Sequence, residues 1–212
     1  MPIDTVLIDA GTGNLRSVHK ALEAAGARVT RTADPETVRK GTRLVLPGVG
    51  AFGDFMDGLR QSGLEAAVLE AVARGVPLLG ICVGMQALFE IGEEMGEHRG
   101  LGLLPGRVVA FPPTLREQGL KIPHTGWNRV TWARENPLRP GLEDGGYAYF
   151  NHSFYCLPQQ PAAADNIIGY TNYGFRFVSA VQRDNLLGVQ FHPEKSQRVG
   201  LQVLKNFLQW QP

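Results

Sequence analysis

The sequence predicts a single mixed α/β domain over residues 1–212, with a mostly parallel central sheet, flanking helices, and antiparallel strands added in the second half. Three observations carry this reading. In the first half, short β-rich apolar runs alternate with helical stretches, the pattern of a buried parallel sheet covered on both faces. Beyond about residue 100 the helices stop and apolar runs follow one another closely, which favours antiparallel neighbours. A chain of 212 residues with 43% hydrophobic and 19% charged residues is also long enough and apolar enough for one sizeable core.

The elements follow in order. "TVLIDA" is the first strand, and "NLRSVHKALEAAG" the first helix, with Gly26 placed for its C-terminal cap. "RVTRT" reads as strand, "DPETVRKG" as a short helix and "RLVLPG" as strand. Then come "GLEAAVLEAVARG" as helix, "VPLLGI" as strand and "MQALFEIG" as helix. The later strands are "GRVVAF", "WNRVTW", "YAYFNHSFYCL", "NIIGYTN", "FVSAVQ" and "LLGVQF", before an amphipathic helix in "RVGLQVLKNFLQW". No internal repeat or low-complexity linker interrupts them.

Several function classes are disfavoured. A formal net charge of +1 leaves no electrostatic footprint for nucleic acid or acidic lipid. No apolar run is long enough to span a bilayer, and the start "MPIDTVLIDAGTG" lacks the features of a signal peptide, so a cytoplasmic protein is expected. Cys82 and Cys156 are the two cysteines, read as free thiols. The five histidines are scattered without the spacing of a zinc site, so no metal or other cofactor is expected. "GTGNLR" places Arg16 where a dinucleotide fingerprint needs its third glycine, so no phosphate-cradling loop is evident.

"VPLLGICVGMQ" carries the chemistry. Gly80-x-Cys82-x-Gly84, between a buried strand and a helix, has the shape of a nucleophile elbow, in which a strained turn presents the nucleophile and small residues let strand and helix approach. A helix N-terminus at Cys82 favours its thiolate form, and the Val83 N–H is placed to stabilise an oxyanion. By itself the elbow leaves a space-filling cysteine about as credible as a nucleophile. The partner base is in "LLGVQFHPEKS": His192 and Glu194 are two residues apart on an extended chain, so both project to one side and Glu194 can orient the imidazole. Both strands end where sites gather in parallel sheets. Cys82 as nucleophile, His192 as general base and then acid, and Glu194 as orienting carboxylate form a thiol version of the acyl-transfer triad.

"GICVGMQ" and "GVQFHPEKS" resemble the class I (triad) glutamine amidotransferases. "LPGVGAFGDFM", "KIPHTGWN", "YFNHSF" and "HPEKS" extend the resemblance, over nearly the whole chain, to the branch formed by glutaminase subunits of imidazole glycerol phosphate synthases. The resemblance implies a glutaminase that forms a glutamyl thioester on Cys82. It assigns the second oxyanion N–H to Val49, and a glutamine pocket to Gly50, Gln86, Asn151, Ser153 and Phe154. In "PGVG", backbone freedom at Gly48 and Gly50 is what a switchable oxyanion strand needs. Asn151 stands where that branch more often has an apolar residue, and matches other triad amidotransferases. The implied partner is a (β/α)₈ cyclase subunit in a heterodimer, which uses the ammonia to make imidazole glycerol phosphate and aminoimidazole carboxamide ribotide in histidine biosynthesis. Asn14, Trp127, Tyr149 and Lys195 match positions at that interface. The competing readings are a glutaminase subunit for anthranilate, guanylate or carbamoyl phosphate synthesis, a cysteine hydrolase or peptidase, and a non-catalytic glutamine-binding regulatory module. "KIPHTGWN" speaks against the first, "GVQFHPE" against the second, and the complete triad against the third.

Overall fold

The computed structural model describes residues 1–159, 161 and 163–212. Its first half runs β1 (Ile3–Ile8), α1 (Leu15–Ala25), β2 (Ala27–Thr32), α2 (Pro35–Lys40), β3 (Leu44–Gly48), α3 (Phe52–Gln61), α4 (Leu64–Ala73), β4 (Leu78–Cys82) and α5 (Val83–Gln86). Gly26 closes α1 in the left-handed conformation, with its N–H donating to the Glu23 carbonyl, as a C-terminal cap requires. The second half holds β5 (Phe89–Gly92), β6 (His98–Arg99), β7 (Leu104–Ala110), the short α6 (Thr114–Glu117), β8 (His124–Trp132), β9 (Gly146–His152), β10 (Phe154–Pro158), β11 (Ile167–Tyr173), β12 (Phe175–Arg183) and β13 (Leu186–Val189). A 3₁₀ turn over Pro193–Lys195 leads into α7 (Gln197–Gln209).

The sheet runs β2-β1-β3-β4-β13-β12-β10-β7-β5-β6, with β11, β8 and β9 branching from β12. From β2 to β13 every pairing is parallel. The strands around β12, and the β11-β8-β9 branch, pair antiparallel. β3, β4 and β13 are buried along their whole length, which is why they read as continuous apolar runs rather than alternating ones. Among the described residues no helix is long and apolar enough to cross a membrane.

Several elements differ from expectation, among them "YAYFNHSFYCL", which is two strands, β9 and β10, parted at Ser153 and paired with different neighbours. "MQALFEIG" is not one helix: α5 stops at Gln86, and Phe89–Gly92 is strand β5. The Ala87 and Leu88 carbonyls accept from the N–H groups of Leu101 and Leu103, so the returning chain ends the helix. Phe89 and Ile91 suit the pleat they enter beside β7. α3 is not evident in the sequence because Gly53 and Gly58 weaken its helical signal by about 1 kcal/mol each. Its buried Phe52, Phe55, Met56 and Leu59 nevertheless recur at i, i+3, i+4 and i+7.

Candidate active site

β4 ends at Cys82, level with Gly48 of β3, and α5 begins at the next residue. Cys82 is held at φ 55° and ψ −112°, a conformation costing on the order of 1–3 kcal/mol that persists only where the surroundings impose it. The flanking glycines permit the close packing that holds it, because a side chain at either would clash. A Cβ on Gly80 would stand 2.6 Å from the Gly84 carbonyl oxygen, and one on Gly84 would overlap the Leu46 carbonyl of β3. The steric logic of Gly-x-Cys-x-Gly therefore holds. The helix dipole at Cys82 is weaker than expected, because α5 is a single turn. Val83 heads that turn, where the first N–H groups have no intrahelical acceptor.

His192 follows β13, the parallel neighbour of β4, so both residues emerge at the same sheet edge. Its Nδ1 lies 2.9 Å from Glu194 Oε1, and the Glu194 side chain is only 2% exposed. The two side chains meet as expected but not along an extended chain: Pro193 opens a 3₁₀ turn that brings Glu194 to the Nδ1 edge of the ring. Burial is the largest influence on His192 and opposes its charge. Hydrogen bonding and Coulomb attraction from Cys82 and Glu194 together outweigh it and raise the ring to about 10. The buried Glu194 carboxylate beside Nδ1 thus favours the protonated ring, the form an acid step needs.

A cavity of about 240 Å³ opens over the thiol. It brings together Cys82 and His192 with the expected oxyanion residues Val49 and Val83 and the expected pocket residues Gly50, Gln86, Asn151, Ser153 and Phe154. The two glycines of "PGVG" differ. Gly50 has φ +93° and open space where a Cβ would stand. Gly48 is packed against the Phe55 ring and the Gly84 nitrogen, at 2.8 and 2.9 Å from a Cβ position. Backbone freedom therefore belongs to Gly50, and Gly48 is a glycine because the elbow presses on it.

Of the four expected interface residues, three share a patch beside the cavity. Trp127 and Tyr149 are paired across β8 and β9 with ring centroids 6.3 Å apart, and Lys195 Nζ lies 5.4 Å from the Tyr149 ring centroid. Trp127 is 47% exposed. Asn14 is exposed at the N-cap of α1, the helix packed on the 3₁₀ turn, and its side chain makes no capping bond.

The sequence of this chain matches the glutamine amidotransferase class-I family over residues 6–210. It is 51% identical over 207 residues to the imidazole glycerol phosphate synthase subunit HisH of Salinibacter ruber, covering 96% of this chain and 93% of that protein. Against HisH of Aquifex aeolicus it is 46% identical over 204 residues, covering 96% and 95%. The chain belongs to the HisH branch of the class-I glutamine amidotransferases. Solved structures with the same fold include PurLQS from Thermotoga maritima, at TM-score 0.73 and 19% identity, covering 99% of this chain and 97% of the matched one. The crystal structure of another glutamine amidotransferase matches at TM-score 0.71 and 20% identity, covering 94% of this chain and 94% of that one.

Three further residues, which sequence reasoning misses, complete the amidotransferase site. Gln190, fully buried, directs Nε2 toward Cys82 Sγ at 3.7 Å and accepts from Gln86 at 3.1 Å. A glutamine inside the apolar run "LLGVQF" is a readable signal, since a buried amide requires partners. Ser196 donates to the His192 carbonyl at 2.6 Å and accepts the Tyr149 N–H at 2.9 Å, fastening the triad turn to β9. His152 lines the cavity and bonds the Phe154 carbonyl at 2.8 Å. The roles of Ser196 and His152 depend on strand pairing, which sequence spacing does not reveal.

Proposed function

We propose that this chain hydrolyses glutamine to glutamate and ammonia. Cys82 attacks the side-chain amide carbon as thiolate, and the tetrahedral oxyanion is received by the N–H groups of Val83 and Val49. Collapse breaks the C–N bond as His192 gives its proton to the leaving nitrogen, which departs as ammonia and leaves a glutamyl thioester. The neutral imidazole then takes a proton from water as it attacks the thioester. Glutamate leaves, and the thiolate and imidazolium return. Glu194 stabilises the imidazolium and fixes its orientation throughout. Gly50, Gln86, Asn151, Ser153 and Phe154 form the glutamine pocket.

The observation that carries this reading is that His192, 2.9 Å from a buried Glu194 carboxylate, lines one cavity with the strained elbow cysteine. Membership of the HisH branch supports the rest: a cytoplasmic heterodimer with a (β/α)₈ cyclase subunit, which uses the ammonia to form imidazole glycerol phosphate and aminoimidazole carboxamide ribotide. The patch of exposed Trp127 and Lys195 around half-buried Tyr149, with Asn14 at the head of α1, is the surface we assign to that subunit. Cys82→Ala should abolish glutamine-dependent synthesis by the assembled complex while leaving synthesis from added ammonium salt intact. Glutamate release by Cys82→Ala in the complex would exclude Cys82 as the nucleophile.

A further inference from the structure

His124 and His152 stand opposite one another on β8 and β9, with His124 Nδ1 3.1 Å from His152 Nε2. Both are buried, and the triad does not use them. Their proton positions follow from their partners. A carbonyl only accepts, so His152 must carry a proton on Nδ1, which faces the Phe154 oxygen at 2.8 Å. Burial holds His152 at about 3, with the charge on His192 acting in the same direction, and holds His124 at about 4, so both rings are neutral near pH 7. His152 Nε2 is then an acceptor, His124 donates to it from Nδ1, and His124 Nε2 accepts from Asn128 Nδ2 at 3.2 Å. The other Asn128 amide hydrogen goes to the Asn172 carbonyl at 2.8 Å.

At the cavity end, the Phe154 carbonyl accepts a second bond, from Gln86 Nε2 at 3.1 Å. The remaining Gln86 amide hydrogen goes to Gln190 Oε1, also at 3.1 Å, which turns Gln190 Nε2 toward Cys82 Sγ. Donors and acceptors are matched along the whole path from Asn128 to the thiol, so no ring tautomer or amide orientation along it can reverse by itself. With both Nε2 hydrogens of Gln86 spent, Oε1 is its unspent acceptor, suited to an N–H donor.

We propose that His152, held in its Nδ1–H tautomer by His124, is a positioning residue of the glutamine site: it fixes the Phe154 carbonyl and, through it, the orientation of the Gln86 and Gln190 amides beside Cys82. The ring box around the pair is apolar: Phe111, Phe150 and Phe177 flank it, and Tyr173 stacks on His124 at 4.0 Å. The titratable groups facing the pair are that Tyr173 and His192. The kinetic part of this assignment rests on the glutaminase reading; the tautomer assignment does not.

Nitrogen-15 NMR of the full chain with labelled histidine tests the relay directly. Both rings should show the neutral Nδ1–H pattern and stay unchanged from pH 5 to 8. An Nε2–H tautomer at either ring, or titration within that range, overturns it. In the complex with the cyclase subunit, His152→Leu should raise KM for glutamine about tenfold, the size of one lost hydrogen bond to a pocket wall, with kcat much less affected. His152→Asn, whose Nδ2 can take the place of Nδ1, should recover most of that loss. An unchanged KM, or Asn no better than Leu, refutes the positioning role. If wild type and Cys82→Ala hydrolyse glutamine equally, the glutaminase reading fails, while the NMR result still decides the relay.

Discussion

Gly84→Ala tests whether the elbow is built by contact. An alanine Cβ here would overlap the carbonyl oxygen of Leu46, whereas real Cβ atoms essentially never come within 3.0 Å of such an atom. Leu46 belongs to β3 and is paired with Gly80 of β4, so its carbonyl is part of the buried sheet and cannot swing aside like a side-chain tip. The strand and the elbow must part by on the order of 1 Å. Overpacking of this kind costs about 1–3 kcal/mol, which for a chain of this size is roughly 2–12 °C in Tm. The catalytic loss should be larger than the stability loss suggests. A shift of about 1 Å at a reacting group can cost on the order of 100-fold, and this shift falls on the residues that place the Cys82 thiol and the Val83 N–H. The assay is glutamate release by the complex, alongside thermal unfolding of the full chain. Gly84→Ala with kcat/KM within about threefold of wild type and an unchanged Tm would show that the elbow tolerates a side chain, and the contact argument would be wrong.

The remaining predictions concern protons. His192 has a folded-state value raised to about 10, so its contribution to stability is fully present below its unfolded value near 6.5 and is lost as pH rises through about 10. Denaturant unfolding should accordingly show the stability gap between wild type and His192→Asn narrowing from pH 6 to pH 10; a gap that widens contradicts the ion-pair assignment. His124 and His152 have the opposite sign, since folded values of about 4 and about 3 lie below the unfolded value. Their contribution is present above about pH 6.5 and is lost on acidification, because the unfolded chain takes up protons that the folded one refuses. Wild-type stability should fall between pH 6.5 and 4.5, by up to about 1.4 kcal/mol per pH unit for each ring. The double variant His124→Phe/His152→Leu should lose that slope, and an equal slope in both proteins would mean other groups cause it.

What could be read from the sequence was what local physics dictates. Alternation of apolar runs and helices revealed the parallel block, because β3, β4 and β13 are buried on both faces and carry no polar punctuation. Gly80, Cys82 and Gly84 were legible because a tight elbow restricts residue type at fixed spacing. His192 and Glu194 were legible for a different reason: two residues of separation bring them together whether the chain is extended or, as here, turned. What escaped depends on pairings far apart in the chain. β5 was hidden because helix and strand are hard to tell apart in so short a run, and the choice is made by Leu101 and Leu103 bonding the Ala87 and Leu88 carbonyls. His124 and His152 carry no local signature either: they meet because β8 and β9 pair in that register.

The same pairings explain why the antiparallel half is needed at all. The parallel strands β4 and β13 deliver Cys82 and His192 to one edge, but β13 ends at Val189, and beyond it β12 holds Gln190 through the Ser179 carbonyl while β9 holds His192. The His192 N–H donates to the Tyr149 carbonyl at 2.8 Å, and Ser196 ties the His192 carbonyl to the Tyr149 N–H, so the base is clamped by its backbone on both sides. Tyr149 is also the residue whose ring meets Trp127 and Lys195 at the surface. One residue therefore touches the patch assigned to the cyclase subunit with its side chain and the histidine of the triad with its backbone. The Tyr149 carbonyl sets His192 while its ring stays at the surface, so a shift of the β9 main chain at this residue, not a turn of the ring alone, would be what reaches the histidine.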